Sequence, residues 1–147
     1  MKFTKRIFLI LIACAITTNI CAIQFRHLSI KDGLSQLSVL SIYQDKLGRM
    51  WFGTEEGINV FDGNNLTAIK TLRNIPPQNL EVRWICGDEK GNIYFQLGTS
   101  IVCIDFATQS NTVLVKKGVT TLCHHSGKIY YASRGSVYIY NIAKQST

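Results

Sequence analysis

From Val39 to Asn141, short apolar runs are separated by polar turns, and the whole pattern occurs three times. The copies are VLSIYQDKLGRMWFGTEEGINVFDG (Val39 to Gly63), VRWICGDEKGNIYFQLGTSIVCIDF (Val82 to Phe106) and VTTLCHHSGKIYYASRGSVYIYN (Val119 to Asn141). Their first valines lie 43 and 37 residues apart, a period that marks repeat architectures. Within each copy an apolar strand (Val39 and Ile42; Val82 and Ile85; Val119 and Leu122) runs into a polar turn carrying Gly48, Gly91 or Gly127. An aromatic strand follows at once: Trp51-Phe52, Tyr94-Phe95 or Tyr130-Tyr131. A second Gly/Ser turn then leads to a third strand built on Ile58 and Val60, Ile101 and Cys103, or Val137 and Ile139.

The turns carry their own logic. Asp45 and Asp88 stand three residues before the glycine, where a short carboxylate accepts hydrogen bonds from turn amides and the glycine supplies the positive φ of a tight hairpin. Recurrence at a turn position assigns these aspartates to capping rather than to metal binding, since a catalytic group has no reason to appear in each copy. In the third copy, one residue shorter in this turn, His124 and His125 occupy the place. The six aromatics repeat at one position and are read as packing between units.

A fourth strand is expected over Leu66 to Leu72 in the first copy and Thr112 to Val115 in the second. Four antiparallel strands with a period near 40 make the blade of a β-propeller. The fold class is therefore all-β: an incomplete β-propeller of three blades, spanning 39–74, 75–118 and 119–147. Residues 23–38 form a lead-in strand. The third blade lacks its outer strand, whose counterpart would fall just past Thr147. Propellers close with about four to eight blades, so the expectation is a piece of a longer ring.

Ahead of the blades, Lys2, Lys5 and Arg6 precede the apolar run Ile7 to Ile16, the more polar Thr17 to Asn19, and then Ile20, Cys21 and Ala22. This is the layout of a secretory signal over 1–22, too short in its apolar part for a membrane span. Ile20 is bulkier than signal peptidase favours, which leaves a retained anchor as an alternative; Leu11-Ile12-Ala13-Cys14 leaves a lipoprotein as another. The leader changes how charge is read. The 147 residues carry 16 Lys+Arg against 9 Asp+Glu, a net charge of +7, which drops to +4 without Lys2, Lys5 and Arg6. The remaining basic residues are scattered among acids, with no phosphate-tracking stripe, so nucleic-acid binding by this segment is set aside.

The lead-in FRHLSIKDGLSQLSV (Phe25 to Val39) and the blade after it, with Trp51-Phe52-Gly53-Thr54 and Gly57 to Asp62, resemble the start of the periplasmic sensor region of hybrid two-component systems. The resemblance implies two propellers, an immunoglobulin-like domain, a membrane helix, a histidine kinase and a receiver in the longer parent. It also implies a propeller that detects oligosaccharides released from glycans and alters the geometry of a dimer. The 147 residues hold no phosphoacceptor helix and no nucleotide lid. The expected contribution is part of a sensor, with dimerisation and kinase activity left to the parent.

Candidate chemistry elsewhere is sparse. Cys123, His124 and His125 are consecutive, so a strand would point them to opposite faces, and neither a metal nor another cofactor is expected. Outside the leader Cys86, Cys103 and Cys123 remain, an odd number. An exported chain could oxidise one pair, but equivalent strands of adjacent blades are expected to exceed the Cα separation of about 6 Å a disulfide needs. Trp84 has Ser41 and Thr121 as counterparts, so nothing in the repeat demands an aromatic there. It is the candidate ligand contact, set against partial burial between blades. The function expected is non-enzymatic sensing; the alternatives are an exported lyase or glycosidase, which needs a converging acid/base pair, and a plain interaction module.

Overall fold

The computed structural model describes residues 25–69, 72, 80–105 and 107–144; the leader lies outside them. The described residues form three antiparallel sheets, each in simple up-and-down order. The first blade holds β1 (Val39–Gln44), β2 (Met50–Thr54), β3 (Gly57–Phe61) and β4 (Leu66–Ala68). The second holds β5 (Val82–Gly87), β6 (Ile93–Leu97), β7 (Ser100–Ile104) and β8 (Asn111–Val115). The third holds β9 (Val119–His125), β10 (Lys128–Ser133) and β11 (Ser136–Asn141). The chain thus has the all-β architecture of propeller blades, with four, four and three strands among the described residues. The fourth strand of the first blade ends at Ala68; part of the longer expected span lies outside the described residues.

Alternation along the strands gives each blade two faces, and the core lies where neighbouring blades meet. Trp51 and Ile58 of the first blade pack against Val82, Phe95 and Val102 of the second. Tyr94 and Ile101, from the other face of the second blade, pack against Val119, Leu122, Ile129 and Tyr131 of the third. Each side chain of this kind, fully buried, contributes about 1.5–3 kcal/mol. The central blade is covered on both faces, and β6 is buried along its whole length.

The adjacent aromatics divide between these interfaces because strand neighbours point opposite ways. Trp51 and Phe95 meet at the first interface, Tyr94 and Tyr131 at the second. Phe52 and Tyr130 belong to neither cluster and are half-buried on the outward faces of the first and third blades. Val39, Ile42, Val137 and Ile139 are likewise exposed, Ile42 at 62% and Val137 at 74%, on faces against which no described blade packs.

The lead-in departs from the expected strand. Residues 25–38 contain a single 3-10 turn at Ile30–Asp32, and Ser29 donates to Asp32 Oδ2 from its backbone amide (2.8 Å) and hydroxyl (2.7 Å). This local closure uses groups that a sheet ladder would otherwise pair. The segment instead lies across the outward face of the first blade through side chains. Ser35 Oγ donates to Asn59 Oδ1 (2.7 Å) and shares a hydrogen bond with Thr54 Oγ1 (2.9 Å), Leu34 is buried, and Arg26 stacks 5.2 Å over the Phe61 ring. At Gly33 a side chain would collide with the Leu66 carbonyl, so the contact requires glycine.

Candidate functional site

The β1–β2 and β5–β6 hairpins are built alike. The Gly48 amide donates to the Asp45 carbonyl and the Gly91 amide to the Asp88 carbonyl, closing three-residue loops whose glycines adopt φ of +81° and +90°, which side chains rarely tolerate. Asp45 Oδ1 accepts from the amides of Leu47 (2.9 Å) and Arg49 (3.0 Å), while Oδ2 accepts from Arg49 Nε (2.7 Å) and Trp51 Nε1 (2.9 Å). Asp88 repeats this arrangement: Oδ1 takes the amides of Lys90 and Asn92, and Oδ2 takes Asn92 Nδ2 (2.9 Å) and Tyr94 Oη (2.8 Å). The turn aspartate therefore also anchors the aromatic ring six residues on, a link the spacing alone leaves unseen.

These bonds set the electrostatics. Burial works against the Asp45 carboxylate, yet the Trp51 and Arg49 donors outweigh it and hold the group below its ordinary value of 3.8. Asp88 is lowered in the same way, against burial, by Asn92, Tyr94 and two backbone amides. The Tyr94 hydroxyl is pushed the other way, first by burial and then by its bond to Asp88. With both oxygens of each carboxylate engaged twice, neither aspartate is arranged to take a proton from a substrate. Among the described residues no cluster of three His, Cys, Asp or Glu is placed to hold a metal ion.

The third hairpin differs from the expected arrangement. His124 and His125 end strand β9, and the turn is Ser126-Gly127, with φ of +49° and +72°. Two consecutive positive φ values make the two-residue turn that matches strand twist, so the ladder extends to a His125–Lys128 pair. The missing residue is thus absorbed by a tighter turn. His124 Nε2 is buried without a hydrogen-bond partner.

Trp84 is 45% exposed on β5. Its register explains the freedom. In the first blade Ser41 Oγ donates to the Val82 carbonyl (3.2 Å), the start of the next blade. In the second blade the equivalent carbonyl, that of Val119, takes its bond from Gln96 Nε2 (3.1 Å), so position 84 has no such duty. The three cysteines are free thiols; Cys123 is exposed, and burial pushes Cys86 and Cys103 up to about 12. A cavity of about 550 Å³ lies between the lead-in and the first blade, lined mainly by apolar groups including Ile30, Leu34, Ile58 and Leu72. Trp84 is not part of it.

Comparison with known proteins gives this geometry a context. Residues 33–56, from the lead-in to the β2–β3 turn, match the two-component regulator propeller family. A 58-residue stretch is 43% identical to Histidine kinase P4 of Formosa agariphila, covering 40% of this chain and 4% of that protein. The fold superposes on the extracellular domain of BT3049, described as a hybrid two component system of B. thetaiotaomicron, with TM-score 0.68 and 24% identity over 82% of this chain and 19% of the other. The extracellular domain of BT4673 from the same organism gives TM-score 0.68 at 14% identity, over 82% of this chain and 17% of that one. No helix among the described residues is long and apolar enough to cross a membrane. The chain thus carries the two-component regulator propeller repeat in the propeller fold of these extracellular domains, and spans a small part of their length.

Proposed function

We propose that this chain supplies the first blades of a periplasmic sensor propeller in a hybrid two-component histidine kinase, whose ligand is an oligosaccharide released from a glycan. The observation that carries the reading is the family match at residues 33–56, which runs from the lead-in into a blade of the same fold as extracellular domains of such systems. The segment itself is non-catalytic on this reading: the turn carboxylates Asp45 and Asp88, which an exported lyase or glycosidase would need free, are saturated by hydrogen bonds. Its macromolecular partner is the rest of the ring, docked on the outward apolar face of the third blade, where Val137 and Ile139 stand exposed. Nucleic acid and cofactors have no part in it, and dimerisation belongs to the parent protein.

Titration calorimetry of the protein against neutral and acidic oligosaccharides tests the ligand class. Saturable heat with at least one oligosaccharide, weakened several-fold by Trp84→Ala, is the expected result. Binding that ignores Trp84→Ala removes Trp84 from the site, and no binding by any oligosaccharide removes the sugar-sensing reading. Release of shortened glycan products would restore the enzyme alternative.

A further inference from the structure

The two interfaces between blades are built on one register, yet they are filled differently beside the turn aspartates. At the first, the Arg49 guanidinium lies 5.3 Å over the Trp51 ring while its Nε donates to Asp45. At the second, the same repeat positions hold Asn92 and Tyr94, and the shorter Asn92 side chain donates to Asp88. The shorter amide leaves a cavity of about 400 Å³ between the blades, within the roughly 300–1,000 Å³ of small-molecule sites. Blade two contributes Lys90, Asn92, Tyr94, Asp105 and Thr112 to its wall, and blade three closes it with Tyr140 from β11.

The lining specifies a ligand chemistry. Lys90 and Asp105 bring one charge of each sign, so the cavity has no preference for an ion of either kind. Thr112 and Tyr140 bring hydroxyls able to donate and accept, and Tyr140 also brings a ring face against which C–H bonds can pack. A compact neutral molecule with many hydroxyls and one apolar face meets these demands. We infer that the cavity between the second and third blades is a binding site for a single neutral pyranose unit, on the opposite side of blade two from its contact with blade one. The inference rests on the sugar-sensing reading and adds to it a size of ligand and a place apart from Trp84, which does not line this cavity.

The first interface supplies the test. Asn92→Arg introduces the side chain that already fills the equivalent space beside Trp51, and Thr112→Phe blocks the cavity from an exposed position on β8. Saturation-transfer NMR and calorimetry of the full chain with glucose, galactose, mannose, xylose and N-acetylglucosamine would measure binding, with thermal melting to verify the fold of each variant. At least one monosaccharide is expected to bind the unaltered protein, with affinity falling tenfold or more in both variants. A monosaccharide that binds both folded variants unchanged overturns the cavity while leaving sugar sensing intact. Oligosaccharide binding without any monosaccharide binding also overturns the single-unit site, and failure of every sugar overturns both readings.

Discussion

The two inter-blade interfaces share a backbone plan and differ in how chemistry fills it. At the first, the Tyr43 ring sits over Gly87, where a Cβ would come within 2.6 Å of its hydroxyl oxygen. By register, Cys86 and His124 take these two places at the second, a small residue for a large one and a large one for none. The first interface further gains the Arg49–Asp45 ion pair and a bond from Lys46 Nζ to the Glu89 carbonyl. The second keeps two buried polar atoms without partners, Gln96 Oε1 and His124 Nε2. Among the described residues, the first interface satisfies its polar groups, while the second leaves these two atoms unpaired and a cavity unfilled. The repeat thus governs where blades touch, and leaves the second contact freer to carry something other than stability.

The comparison can be broken most directly at the turn aspartates. Asp45 is buried with an ion pair and an indole on it, so Asp45→Ala should cost about 3–5 kcal/mol, as removing one partner of a buried pair does. Asp88, half-buried and bound to neutral groups, should cost about 1–3 kcal/mol when replaced by alanine. Urea unfolding of both variants would read this order, and equal losses would dissolve the asymmetry. The pH dependence has a definite sign. Both carboxylates sit below 3.8 when folded, so their contribution is complete above that value and fades as pH falls through the lowered folded values. The gap between each variant and the parent should therefore close in acid.

A smaller effect is expected at His124. Replacing it with leucine removes a buried nitrogen that has no partner and should raise stability by about 1 kcal/mol, seen as a higher Tm. A drop in Tm would mean that the nitrogen is satisfied in solution. The least perturbing measurement uses the thiols. Cys123 is exposed and should alkylate first at pH 8, whereas Cys86, held near 12 by burial, should follow only as the second interface opens. Peptide-resolved mass spectrometry would follow that order, and early labelling of Cys86 would show that the second interface does not shield it.

Much of this architecture is legible in the residues because it depends on local rules. Alternation placed the strands, and the Asp-to-Gly spacing placed two of the three turns. What stayed hidden depends on contacts across distance. The bond from Trp51 to Asp45 joins residues six apart across a hairpin, and only the folded register brings them together. Two adjacent histidines look like turn residues until the Ser126-Gly127 pair is seen to close the hairpin without them. The lead-in reads as extended chain, yet Ser29 and Asp32 fold it back on itself, and its role emerges only from Asn59 and Thr54 beneath Ser35. The cavity was equally invisible, since it follows from the absence of an arginine at one of two equivalent places.

The lead-in also gives the stack of blades a direction. A blade approaching the outward face of the first must contend with a segment already hydrogen-bonded to Asn59 and Thr54 and stacked on Phe61. A blade approaching the third meets exposed Val137 and Ile139 and gains their burial without displacing such a segment. The two free faces are therefore unequal: a blade that closes the ring on the first meets a polar, already occupied surface beside exposed Ile42, whereas one that docks on the third meets bare apolar side chains.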